Sequence, residues 1–177
     1  MASSAFRKPL AGCTTPAAEL TVLSVGLNQL TALPDTLGAL TGLTALGAGS
    51  NKLATLPDSV AALTALQELR LVSNQLAALP DTLGALTGLT ELVAYSNKLT
   101  TLPESIAALT ALKKLDLMSN KLVTLPDSIA ALTALKTPNL RYNPLAEPQS
   151  SAVEAWLTAL RAGSCTLNMH EDDGANL

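Results

Sequence analysis

Leucine returns at a fixed interval of 23 residues, at Leu20, Leu43, Leu66, Leu89, Leu112 and Leu135. A period of this length restricts a chain to a stacked repeat architecture, in which each unit buries its apolar side only against its neighbours. Numbering each unit from that leucine, position four reads Leu23, Leu46, Leu69, Leu92 and Leu115, then Pro138. Position nine is asparagine in every unit, from Asn28 to Asn143, and position eleven is leucine from Leu30 to Leu145. A Leu-Pro pair follows in five units, at Pro34, Pro57, Pro80, Pro103 and Pro126, and each proline precedes Asp or Glu.

Each column answers a physical demand. The Leu-x-x-Leu-x-(Leu/Val/Ala) stretch is a short strand with alternate residues turned inward. Asparagine both donates and accepts hydrogen bonds, so a stacked column of it can satisfy backbone groups where the chain leaves each strand. Proline tolerates the first position of a helical turn, and the following acid complements the positive dipole end. Beyond it, Leu37, Val60, Leu83, Ile106 and Ile129 precede Leu40, Leu63, Leu86, Leu109 and Leu132 by three residues, on one inner face. A single turn is unstable alone and depends on the leucine core shared between units. A second period of 46 residues is also visible: Asp35 to Gly42 recurs unchanged as Asp81 to Gly88. The simplest account is duplication of a two-unit block.

These columns resemble the 23-residue leucine-rich repeats of the Ras-suppressor-like and plant intracellular Ras-group-related proteins, and the likeness runs from Leu20 to about Leu145. The resemblance implies an α/β fold: a right-handed curved solenoid with a parallel sheet on its concave side and short helical turns outside. It also implies a scaffold rather than an enzyme. The sequence departs from that pattern at Ala48 and Ala94, small residues at inner positions, and in its low charge.

The expected layout is an irregular segment over 1–19, a repeat domain over 20–149 with a degenerate sixth unit, a capping helix over 150–163, and a loose tail over 164–177. Pro138 in place of a strand leucine suits an edge strand. Ser151 and Glu154 have the spacing of a capping box. Val153, Trp156, Leu157 and Leu160 form one helical face, and Gly163 is placed to end the helix. No comparable cap is readable before Leu20. Residues 1–19 are either an irregular cover, or the first unit meets a partner or further chain.

Composition removes several classes of function. Charged residues make up 14% of the chain, against roughly a quarter in an average soluble domain, so Ala, Thr, Ser and Gly must cover much of the surface. A net charge of −3 gives no electrostatic basis for nucleic-acid binding. No apolar run of about 18 residues is present to insert in a membrane. Cys13 and Cys165 fall near opposite ends of a stack with about 4.8 Å per strand, beyond the roughly 7 Å that a disulfide spans. A reducing, intracellular and cytoplasmic location is therefore expected. The basic, Ser/Ala-rich N-terminus is also weakly like an organelle transit segment, though an ordinary terminus is the favoured reading.

No phosphate loop, dinucleotide fingerprint or zinc-protease motif occurs. His170 and Cys165 are two candidate ligands, too few for a zinc site. The hydroxyl columns, for example Ser59, Ser105 and Ser128, have no adjacent base and are expected to cap turns and fill surface. No catalytic residue, metal or cofactor is expected.

The outward strand positions are the informative ones. Position five reads Ser24, Gly47, Arg70, Val93, Asp116 and Asn139, and position seven Gly26, Gly49, Val72, Tyr95, Met118 and Arg141. Position eight, Leu27, Ser50, Ser73, Ser96, Ser119 and Tyr142, is read as outward too. The first two units are bland, whereas Arg, Tyr and Met gather from the third onward, the composition of interface hot spots. The expected partner-binding residues are Arg70, Val72, Val93, Tyr95, Asp116, Met118 and Arg141, and the expected partner is a protein or peptide. Lys113, Lys114, Lys136 and Arg141 stand against Asp116 in the last two units, which would suit an anionic segment. Local pairing, such as Glu91 beside Lys114, is the other reading of those charges. The leading function is a non-enzymatic interaction module. The alternative is a structural subunit buried in a large assembly, which the low surface charge would suit.

Overall fold

In the computed structural model, residues 20–162 are described. Six three-residue strands form one parallel sheet in sequence order: β1 (Val22–Ser24), β2 (Ala45–Gly47), β3 (Glu68–Arg70), β4 (Glu91–Val93), β5 (Lys114–Asp116) and β6 (Thr137–Asn139). The register follows the 23-residue period, with Leu23 beside Leu46, Leu46 beside Leu69 and Leu115 beside Pro138. The chain returns from each strand through one short 3-10 turn, from Asp35–Ala39 to Asp127–Ala131. Five residues are few for any helix, and the tight 3-10 geometry is the usual form at that length.

The core is a leucine stack between sheet and turns. Leu43, Leu66, Leu89 and Leu112 are fully buried, as are Leu69, Leu92 and Leu115 at the strand centres. Each contributes about 1.5–3 kcal/mol relative to exposure. The small inner residues Ala48 and Ala94 are equally buried, so the short side chains at these positions are absorbed without opening the stack to solvent.

Asn51, Asn74, Asn97 and Asn120 form the expected buried column. Each binds its own unit to the preceding one. The Asn97 amide donates to Leu71 O at 2.9 Å across the unit boundary and to Ala94 O at 3.0 Å within its unit, while its Oδ1 accepts the Leu76 N–H at 3.1 Å. The ends differ. Asn143 is half-buried, and Asn28 is exposed and donates only to Val25 O and Gly26 O, within its own unit.

Several local expectations are corrected. Position eight is not a strand residue: Leu27, Ser50, Ser73, Ser96, Ser119 and Tyr142 all have φ between 52° and 56°. This left-handed step turns the chain out of the sheet and presents the following asparagine to the core. The prolines precede the turns rather than opening them. Pro34, Pro57, Pro80, Pro103 and Pro126 are extended, with ψ of 147° to 149°, and the acid takes the first turn position. The proline carbonyl accepts the first turn bond, as in Leu37 N–H to Pro34 O at 2.9 Å, so an extended residue serves as the cap. The hydroxyl column does not cap these turns: the Oγ atoms of Ser59, Ser105 and Ser128 are buried without a hydrogen-bond partner.

Helix α1 (Ser151–Ala162) covers the sixth unit with Val153, Trp156, Leu157 and Leu160 buried. Its cap lies one residue earlier than the sequence suggests. The Val153 N–H bonds Ser150 Oγ at 3.3 Å, and Glu154 Oε1 accepts the Gln149 N–H at 3.0 Å. Ser151 is already helical, so its hydroxyl is beyond the capping position. Gln149 also closes the preceding loop by accepting the Leu125 N–H at 3.0 Å. Gly163, Cys13, Cys165 and His170 lie outside the described residues.

Candidate functional site

The outer positions of the strands, three and five, turn away from the leucine core onto the open face of the sheet, while position four is buried in β2 to β6 and half-buried in β1. Position seven continues that face. The backbone carbonyls of Val72, Tyr95 and Met118 accept the N–H groups of Ser50, Ser73 and Ser96 at 2.7, 3.0 and 2.9 Å. That ladder holds the three residues in one column across consecutive units, at the spacing of paired strands, about 4.8 Å. All three side chains are half-buried.

Charged residues lie directly beside the column. Arg70 bonds Glu68 at 3.1 Å and Glu91 at 2.7 Å, and Lys114 bonds the other oxygen of Glu91 at 3.1 Å. Glu91 thus joins β3 to β5 across β4, and of the two readings of these charges local pairing holds for Lys114. The exposed Arg70 side chain makes the network's individual contacts weak, of the order of 1 kcal/mol or less. Its consequence is geometric: the guanidinium is held in place over the third and fourth strands. Asp116 Oδ1 accepts the Met118 N–H at 3.2 Å, which fixes the carboxylate beside the column. The Arg141 guanidinium stands 5.4 Å from the centre of the Tyr142 ring, within cation–π range.

Of the seven residues singled out from the sequence, Val93 is the most enclosed, at 6% exposed. It lies between Arg70 and Asp116 in the register and is enclosed rather than projecting. Tyr142, at 46% exposed, adds an aromatic surface at the edge of the same region. It was legible only as one of two residues, with Leu27, that break a column of serines. A separate apolar hollow of about 630 Å³ lies away from this face, between the fifth turn and α1, with Leu132, Leu135, Trp156 and Leu160 in its wall. Among the described residues, no three His, Cys, Asp or Glu side chains converge as metal ligands, and no helix is long and apolar enough to cross a membrane.

The leucine rich repeat family matches residues 64–122 and 87–145. A comparison with curated proteins found no match. Among solved structures, a leucine-rich-repeat protein of Leptospira interrogans is 31% identical with a TM-score of 0.68, over 91% of this chain and 45% of that one. The leucine-rich-repeat ectodomain of a membrane receptor kinase of Arabidopsis thaliana, solved in complex with Casparian strip integrity factor 2, is 30% identical with a TM-score of 0.65, over 71% of this chain and 16% of that one. An internalin of Listeria monocytogenes shares the fold at 24% identity, with a TM-score of 0.70 over 88% of this chain and 44% of that one. The chain spans less than half the length of each of these structures. Period, parallel sheet, asparagine column and these likenesses agree: the chain is a leucine-rich-repeat solenoid.

Proposed function

We propose that the protein is a non-enzymatic binding module that takes a protein or peptide on the concave face of its third to sixth units. The reading rests on one observation above all: Val72, Tyr95 and Met118 form a half-buried apolar column on the open sheet face, with Arg70, Asp116 and Arg141 set around it. An apolar strip with a polar rim is the arrangement of protein interfaces. Tyr95 is the natural anchor, a large rigid ring with a hydroxyl at its tip. The fold is a protein-interaction module, and the Arabidopsis ectodomain was solved with a bound factor. The repeated Leu-Pro pair followed by an acid supports placing the units in the Ras-suppressor-like class.

Photo-crosslinking tests the proposal. A benzophenone side chain at position 95 should trap a partner from the native cell extract, and the same group at position 47, on the bland second unit of the same face, should not. Equal trapping from both positions, or none from position 95, would contradict it.

A further inference from the structure

The two edges of the sheet are finished differently. At the β6 edge, Pro138 stands in the strand and α1 covers the unit. At the β1 edge, the corresponding core is open: Leu20 is 40% exposed, whereas Leu43, Leu66, Leu89 and Leu112 at the same position are fully buried. Val22 is 60% exposed, and Leu27 is 87% exposed. Leu27 is also in the left-handed conformation, φ 55°, where the next four units carry serine. The left-handed step and the Leu27 N–H belong to the stack, as in every unit, but the branched apolar side chain is turned to solvent and buries little there. The unit from Leu20 to Gly42 carries one charged residue, Asp35, so the edge strand has no lysine, inward charge or proline to prevent pairing.

The hydrogen-bonding pattern of the edge says what would pair with it. In β2 the groups facing β1 belong to Ala45, Gly47 and Gly49: Ala45 N–H bonds Thr21 O at 3.1 Å, Gly47 O takes Val25 N–H at 2.8 Å and Gly49 O takes Leu27 N–H at 2.9 Å. Val22, Ser24 and Gly26 are their equivalents in the first unit, and β1 is the end of the sheet among the described residues. Each therefore turns its N–H and C=O away from β2, where no described residue pairs with them. Three alternate residues presenting both groups are self-complementary about a two-fold axis. With antiparallel pairing centred on Ser24, Ser24 of one copy faces Ser24 of the other, and Val22 faces Gly26, which has no side chain to obstruct it. Leu20 and Leu27 then flank the join on both sides. The near absence of charge means that two copies meet without repulsion.

We infer that the protein forms a two-fold dimer through the β1 edge, extending the six-stranded sheet into a second copy. Sedimentation velocity on the full chain, over a wide concentration range, tests this. The expected result is reversible association to twice the chain mass. Val22→Lys with Leu27→Lys should raise the dimer dissociation constant by at least about tenfold, since the pair of substitutions gathers four like charges at the join of two copies. Both positions are exposed, so thermal unfolding followed by circular dichroism should be unchanged at concentrations where both proteins are monomeric. Val123→Lys, at a site 49% exposed elsewhere on the stack, should leave association intact. A wild-type chain that stays monomeric at every concentration would overturn the inference and assign the cover to residues 1–19 instead. So would a dimer that survives the double substitution.

Discussion

Gly84 packs so tightly against Ser105 of the next unit that a Cβ at position 84 would lie 2.9 Å from both the Ser105 carbonyl oxygen and its Cβ. Gly38 meets Ser59 in the same way, at 2.8 and 3.0 Å. In the first four turns the 46-residue period therefore has a packing consequence as well as a history, a glycine turn being seated against the serine turn that follows it; the fifth turn departs from this, Ser128 following Ala107.

Gly84→Ala should destabilise the stack by about 1–3 kcal/mol, the usual cost of overpacking. Gly88→Ala is the control within the same unit. A Cβ there finds its nearest neighbour at 3.8 Å, and the loss of chain entropy in the unfolded state should make it neutral or slightly stabilising. Urea unfolding of both variants decides the matter. Equal effects would mean that the close approach at Ser105 is not a constraint.

Asn97→Ala should cost about 1–3 kcal/mol, because it strands the buried Leu76 N–H and removes a donor from Leu71 O. Asn28→Ala should cost less, since Asn28 is exposed and bonds only within its own unit. Comparison of the two denaturation midpoints at constant m-value checks this ordering.

At the cap, Ser150→Ala should cost roughly 1 kcal/mol, while Ser151→Ala should change little, since alanine is the better helix former. The Ser150 hydroxyl also meets Asp127 Oδ1 of the last turn, so its loss loosens the join between helix and stack. The reverse ordering, measured by thermal melts, would return the cap to the residue that the sequence pattern favours.

Trp156→Ala should cost about 3–5 kcal/mol as a buried aromatic. Trp156 is the one tryptophan in the chain and is 6% exposed. Its native emission should therefore be blue-shifted and should move to the red as α1 detaches. Emission typical of full water exposure before unfolding would contradict the docking of α1.

The columns legible in the sequence are those whose cause is local. A leucine every third or fourth position, an asparagine at each strand exit and a proline before each turn carry their reasons in their own chemistry. The left-handed step at position eight was not legible, because serine has no special preference for positive φ. It is imposed by the need to turn Asn51, Asn74, Asn97 and Asn120 inward. The closure over Val93 depends on residues 23 positions away in either direction, and the offset from Ser151 to Ser150 depends on where the loop through Gln149 is tied down. On the sheet face, the sequence placed Val72, Tyr95 and Met118 in one column but could not show that Arg70 and Lys114 share Glu91.

The central claim is that this column is the binding surface. It is tested most directly by the affinity of a captured partner for Tyr95→Ala relative to Gly47→Ala. A Cβ at position 47 meets nothing closer than Ser24 Oγ at 3.7 Å, so that variant should bind as the wild type does. Tyr95→Ala should weaken binding by at least about 2 kcal/mol, the threshold of a hot spot, with an unchanged melting temperature. Equal affinity for the two variants would contradict the account and move the site to another surface, such as the apolar hollow beside Trp156.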